Sequence, residues 1–532
     1  MARTDLFQWL RKTTRKALSE KRITRREFLK TSFGAAAGLI AAGTFQSSNS
    51  WTALAGPAQS ASNSPVTIVG GGLGGLVTAY RLMQAGVPCE IYEASPRLGG
   101  RIFTQDNFNH EGMFCELGGE LIDTGHTDII GLCRELDVPL EAFADGDAEF
   151  TPALYFSGGK IRSEAEVIEA FKPLAKTLAS DTLKIFPDGE IQIPTYREPC
   201  NAQWLDRLSV AEYLRAIPEL PDWLSRLIEV AYVGEYGLEA SDQSALNLLL
   251  LIAPDAKDGF LMFGESDEAF RIQGGNSRLI DKLTAKIATD VPLHTRQQLV
   301  DIREQGDKIR MTFKHNNNTQ TLTSNRVVLA LPFSVLRTVG GVDRLPVSPV
   351  KKRCIREFGY GTNSKQMMGF RSRFWRQAHD AFPASTGALF TDWPSQCYWE
   401  TSRMQAGRGG ILTNFLGGNA GKNARATQWK TALEDLGELY KHAPEEFTQN
   451  AAFFNWSRYP HARGSYSCPK PGQYTTLFGA AMEPELNGRL FFAGEHCSVD
   501  WAGFMNGAAQ SGDVAAKQIL STLSARPRAA FR

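Results

Sequence analysis

Val66-Thr67-Ile68-Val69-Gly70-Gly71-Gly72-Leu73-Gly74-Gly75 is followed by apolar residues at Leu76, Ala79, Tyr80 and Met83, then by Cys89-Glu90-Ile91-Tyr92 and an acid, Glu93. The order is β-rich run, glycine turn, helical spacing, β-rich run, which makes one β-α-β unit about 30 residues long. A G-x-G-x-x-G pattern alone is weak. Here a strand precedes it, a helix follows it, and an acid stands 18 residues past the third glycine. Gly70 permits the tight turn, Gly72 lets backbone approach a pyrophosphate, and Gly75 lets the helix close on the strand. Leu73 and Gly74 begin the helix, whose N-terminal N–H groups and positive dipole suit a diphosphate. Glu93 would accept from ribose hydroxyls, and its charge disfavours a 2′-phosphate. The fold class expected is α/β (α+β overall), with a Rossmann-like dinucleotide domain.

The whole chain has 532 residues, 58 basic and 57 acidic, for a net charge of +1. That balance excludes a nucleic-acid binder driven by phosphate neutralisation. With 42% hydrophobic and 22% charged residues, the composition is that of an ordinary globular protein. Eight cysteines without a CxxC pair give neither a disulfide scaffold nor a zinc pattern, and no metal site is expected.

The near-neutral total hides a division. Residues 1–30 carry ten Lys/Arg and three acids, a net of +7, while 31–55 carry no charge, leaving −6 on the remainder. The basic stretch, the run TSFGAAAGLIAAGTF (31–45) and Ala53-Leu54-Ala55 read as an export signal. Its junction, Thr24-Arg25-Arg26-Glu27-Phe28-Leu29-Lys30, resembles the twin-arginine signal, an address for folded proteins. The expectation is a signal peptide over 1–55, a linker over 56–65, and a periplasmic or exported enzyme that uses the twin-arginine (Tat) machinery. No other stretch of 18 or more apolar residues occurs, so no stable membrane span is expected.

Beyond the first unit, residues 126–268 read as helical, including 207–216 and 222–233. Gln273-Gly274-Gly275-Asn276 leads into a helix over 277–287. Strands follow at 293–303, 308–313 and 320–330, the last two joined by an Asn316-Asn317-Asn318 turn. Arg489-Leu490-Phe491-Phe492 and a small-residue helix over 503–520 end the chain. The pattern suggests a cofactor domain from 66–125, 270–345 and 451–525, with an inserted, partly helical substrate domain from 126–269 and 346–450.

Glu93-Ala94-Ser95-Pro96-Arg97-Leu98-Gly99-Gly100-Arg101, Glu116-Leu117-Gly118-Gly119, Phe492-Ala493-Gly494-Glu495 and Met505-Asn506-Gly507-Ala508 together resemble the flavin amine oxidase superfamily. The resemblance implies FAD. It implies cofactor contacts at Gly70, Gly72, Leu73, Gly74, Gly75, Glu93, Arg97, Gly100, Arg101, Gly118, Gly119, Glu120, Val300, Gly494, Glu495 and Met505. It makes Lys365, in Asn363-Ser364-Lys365-Gln366-Met367, the residue that holds a water against flavin N5. Trp456, Tyr466 and Phe504 become catalytic, with the last two flanking the substrate amine. Where monoamine oxidases carry a flavin-bonded Cys before the Tyr, this chain has Ser465, so non-covalent FAD is implied.

The reaction implied is oxidation of a neutral amine by hydride transfer to flavin N5, with an imine hydrolysing and oxygen giving hydrogen peroxide; no general base is required. Gly118-Gly119-Glu120-Leu121-Ile122-Asp123 lacks the Arg that holds a carboxylate in venom-type L-amino-acid oxidases. Glu120 and Asp123 are therefore candidate substrate-binding acids for diamines, polyamines or basic amino acids. Two alternatives stay open: an L-amino-acid oxidase for basic amino acids, and an FAD dehydrogenase or desaturase that does not use oxygen.

Overall fold

The computed structural model describes residues 64–524 apart from 144–146, 148, 253, 255–261, 265 and 380–381. The expected signal peptide and most of the linker lie outside the described residues.

Val66–Val69 is buried along its whole length, as a central parallel strand must be. It pairs in parallel with Cys89–Tyr92 on one side and Val327–Leu329 on the other. Leu293–His294 and Leu490–Phe492 complete a five-stranded parallel sheet at its two edges. Helix Leu73–Gln84 follows the first strand directly. A Cβ at Gly75 would lie 2.0 Å from the Gly70 carbonyl oxygen, so only glycine permits this closeness. Helix Met505–Ser524 crosses the same helix through small residues: a Cβ at Gly512 would stand 2.6 Å from the Gly74 oxygen. Arg81, almost buried, donates to Asp513 and Glu135 at 2.7 Å each and so ties three helices together.

A second, seven-stranded sheet runs in the order 447–455, 364–370, 410–416, 397–400, 389–391, 154–157, 160–162. Strand Ser364–Phe370 lies between two antiparallel neighbours and is buried on both faces, which is why its sequence does not alternate. Helices Glu164–Ile185, Val210–Arg215, Asp222–Tyr236 and Ala245–Leu251 form the helical part beside it. A three-stranded antiparallel ribbon, 298–305, 308–315 and 318–324, turns at Asn316, whose φ of 53° suits asparagine. All eight cysteines are free, and seven of them are buried.

Several expectations need correction. The strand expected over 293–303 is two strands: Leu293–His294 joins the parallel sheet and Gln298–Gln305 the ribbon, with Arg296 at φ 61° making the break. The strand expected over 320–330 divides the same way, into Asn318–Ser324 and Val327–Leu329. Residues 126–268 are not all helix. They contain the short strands Leu140–Ala142, Leu154–Ser157 and Lys160–Arg162, too brief to show a period. Helix Thr127–Glu135 buries Ile129, Leu132 and Cys133 in the same core as the first β-α-β unit, so the core does not change at 126. Strand Phe447–Asn455 begins before 451 and belongs to the seven-stranded sheet.

Gly75→Ala should destabilise the protein by about 1–3 kcal/mol through overpacking and weaken retention of a dinucleotide. Thermal melting and cofactor titration would check both.

Candidate functional site

One cavity of about 430 Å³ lies between the parallel sheet and the seven-stranded sheet. At one end the turn Gly70–Gly74 and the N-terminus of helix Leu73–Gln84 line it. That helix has no side-chain cap and no acid in its first turn, so its leading N–H groups are available to an anion. A Cβ at Gly72 would meet nothing nearer than the Gly100 Cα at 3.8 Å, and one at Gly100 would meet the Gly72 Cα at 3.2 Å. The two glycines form a cradle that side chains would fill, fitting a diphosphate that backbone must approach closely. Glu93 accepts the Gly71 and Ser95 N–H groups at 2.7 Å each, which fixes its carboxylate on the cavity wall where a ribose would lie.

Among the expected cofactor residues, Gly70, Gly72, Leu73, Gly74, Glu93, Gly100, Arg101, Gly118, Gly119, Glu120, Val300, Gly494, Glu495 and Met505 line this cavity. Two expected contacts do not. Gly75 is packed under the turn. Arg97 points away, stacking on Phe103 at 3.9 Å and donating to the Leu98, Gly100 and Ile102 carbonyls, so it braces the loop from behind. Glu495 is buried and knits the far wall: it accepts from Arg101 at 2.7 Å, the Ser467 hydroxyl at 2.6 Å and the Gly503 N–H at 2.8 Å. Burial would raise its carboxyl, but Arg101 and these donors hold it below the usual carboxylate range.

Lys365, Trp456, Tyr466 and Phe504 all reach the cavity. Lys365 is no solvated strand residue. Its side chain is 5% exposed, and its ammonium donates to Glu120 at 2.7 Å, the Gly118 carbonyl at 2.8 Å and the Glu116 carbonyl at 3.1 Å. Trp456 donates to the Leu117 carbonyl at 2.8 Å and braces the same segment. The Tyr466 hydroxyl donates to the Gly234 carbonyl, and its ring passes close to Gly503, beside Phe504. Phe504 in turn packs against His126 and Trp501. Ser465 donates to Asn363 at 2.6 Å, and no cysteine is among the residues lining the cavity.

The two acids expected to read a cationic substrate are both engaged elsewhere. Asp123 is buried off the cavity, accepting from the Ser266 hydroxyl at 2.8 Å and the Glu268 N–H at 2.9 Å. Glu120 is paired to Lys365. The cavity instead presents Glu235, from the last turn of helix Asp222–Tyr236, and Glu268, from the loop that Asp123 tethers. Neither carboxylate has a hydrogen-bond or ion-pair partner among the described residues. Burial and then repulsion from Asp123 push Glu235 up to about 7. Glu268 keeps an exposed surface; desolvation by its surroundings, then Asp123 and Glu235, push it up to about 8 against the lowering effect of Arg403. Trp399 is a further aromatic wall, its indole donating to Glu120 at 3.1 Å. Sequence reading missed all three: Glu235 looks like a solvated helix position, and Glu268 and Trp399 sit in no motif.

A family model described as "Flavin containing amine oxidoreductase" matches residues 73–520. The flavin-dependent L-tryptophan oxidase RebO of Lentzea aerocolonigenes is 26% identical over 501 residues, covering 85% of this chain and 97% of its own. Among solved structures, cyclohexylamine oxidase from Brevibacterium oxydans IH-35A superposes with a TM-score of 0.71 at 19% identity, covering 87% of this chain and 99% of that one. Putrescine oxidase, in its wild-type form bound to putrescine, gives 0.69 at 20%, covering 86% and 99%. These likenesses show the fold, and the matched family brings FAD as the cofactor.

Glu93→Gln should weaken FAD binding by about tenfold or more, because an amide NH₂ would face one of two backbone N–H donors and remove an acceptor. Fluorescence titration of the FAD-free protein would measure it.

Proposed function

The chain belongs to the flavin-containing amine oxidoreductases, and on that footing we propose an FAD-dependent oxidase of amines that carry a second cationic group. Di- and polyamines suit it better than basic amino acids. One observation carries this reading: the only Lys and Arg side chains among the described cavity-lining residues, Lys365 and Arg101, are already paired, whereas the carboxylates of Glu235 and Glu268 are not. A substrate carboxylate finds no free cation there. A substrate cation finds two acids whose mutual repulsion it would relieve.

Bound FAD would supply the electron acceptor: a hydride from the substrate α-carbon would leave an iminium, and with one further proton the hydride's two electrons would go on to oxygen as hydrogen peroxide. The chain's own work is positioning and electrostatics. Tyr466, Trp399 and Phe504 give apolar walls that exclude water and favour the neutral form of the reacting amine. Glu235 and Glu268 hold the remote ammonium and so set how far the substrate advances. The Lys365 cation, anchored at Glu116–Glu120 on the cavity wall, would stabilise the negative charge that develops during reoxidation. Ser465 stands in place of a thiol and no cysteine is among the described cavity-lining residues, which supports FAD held non-covalently. The Arg25-Arg26 address, which selects folded cargo, fits a protein that takes up its cofactor before export to the periplasm or beyond.

Turnover of putrescine, spermidine, arginine, phenylalanine and a simple monoamine should rank the diamine and polyamine first. Equal or better rates with phenylalanine and the monoamine would overturn the assignment. Because both acids titrate near pH 7–8, they are mostly neutral at pH 6 and ionise as pH rises. KM for a diamine should therefore fall between pH 6 and 9 more steeply than KM for a monoamine. Glu235→Gln with Glu268→Gln should raise the diamine KM about tenfold or more, roughly 1.4 kcal/mol, and spare the monoamine. Lys365→Met should slow flavin reoxidation roughly 100-fold while FAD stays bound, as stopped-flow absorbance would report.

A further inference from the structure

We infer that Glu120 is the positioning residue of Lys365, holding it as a buried cation against the Glu116–Gly119 segment; this rests on the role given to Lys365 above. An ammonium has three N–H bonds, and here three acceptors take them: Glu120 Oε2, the Gly118 carbonyl and the Glu116 carbonyl. No donor is left over, so any water or substrate atom that Lys365 binds must displace one of them. The Glu116 carbonyl, the longest of the three at 3.1 Å, is the acceptor that yields. Carbonyl dipoles alone do not keep an almost fully buried ammonium charged; an opposite charge does.

The charged and titratable groups that face Lys365 are Glu120, Glu116 and Cys115, with Arg271 on the far side of Glu120. Glu116 is fully buried, accepts from the Asn276 N–H and the Thr104 hydroxyl, and is pushed up to about 7 by burial. Burial opposes ionisation of Glu120 too, but Lys365 and Thr401 bring it below the usual carboxylate range, and Arg271 adds to this. Glu120 is therefore the counter-charge.

Its own orientation comes from the opposite sheet. Thr401 Oγ1 donates to Oε1 at 2.8 Å, Trp399 Nε1 donates to Oε2 at 3.1 Å, and Thr401 and Thr413 share a bond at 2.6 Å. Both oxygens of Glu120 are thus engaged in this network. Glu120 acts through Lys365, and Trp399 links that pair to the substrate wall.

FAD-loaded wild type, Glu120→Gln, Lys365→Met and the double variant would be compared by anaerobic flavin reduction, reoxidation from pH 6 to 10, and thermal melting. Glu120→Gln should slow reoxidation ~10-fold or more, move its alkaline limb to lower pH, and leave reduction by a monoamine nearly unchanged. In the Lys365→Met background the same substitution should add nothing to the reoxidation rate. It should raise the melting temperature there, because the Lys365→Met single variant strands a bare carboxylate. An equal slowing in both backgrounds, or a slowing at every pH without displacement of the limb, overturns the positioning role alone. Wild-type reoxidation in Lys365→Met overturns the reading of Lys365 and this inference with it.

Discussion

A buried ammonium must be surrounded by acceptors, and in this protein those acceptors come from one short segment outside the sheet that carries it. Lys365 stands on the seven-stranded sheet, while Glu116–Glu120 leads from the cofactor loop. Their junction fixes how the two sheets face each other and hence the shape of the cavity between them. Breaking such a pair from one side costs about 3–5 kcal/mol. The neighbours fit the constraint: Asn276 donates to the Gly119 and Glu120 carbonyls at 2.9 Å each, Trp456 to that of Leu117, and Trp399 and Thr401 to the carboxylate.

The cavity is electrically one-sided as a result. Arg101 is paired with Glu495 and Lys365 with Glu120, so Glu235 and Glu268, without a counter-ion among the described residues, set the sign of the chamber. Asp123 contributes indirectly. It repels both carboxylates and tethers the backbone of Glu268, tuning the acids that stand in front of it.

The cofactor half of the site was legible because its requirements are local. A diphosphate cradle needs glycines at set spacing after a strand: Gly70 and Gly75 meet steric demands that no side chain could, while Gly72 leaves open the space a ligand would fill. Gly494 and Met505, read from the family resemblance, line the same cavity. The substrate half was not legible, because its chemistry depends on contacts between distant segments. Nothing near Asp123 shows that Ser266 and Glu268 will occupy it, and nothing near Glu235 shows that a helix end will face inward. Arg97 misled in the opposite direction: its motif was real, yet its guanidinium satisfies loop carbonyls instead of a ligand. The strands at 293–303 and 320–330 misled because each apolar run changes sheets partway, which the pattern of side chains does not record.

The strand order has a kinetic meaning. Val66–Val69 lies next to Val327–Leu329, and that strand is closed by Leu490–Phe492, roughly 420 residues after the first strand. A ribosome has passed Phe492 before the dinucleotide wall can be completed, and the helix at Met505 that packs on Gly74 emerges later still. Contacts of such long sequence separation form slowly. The nascent chain therefore holds an unfinished cofactor cleft until these late segments have emerged, and FAD can seal it only after that.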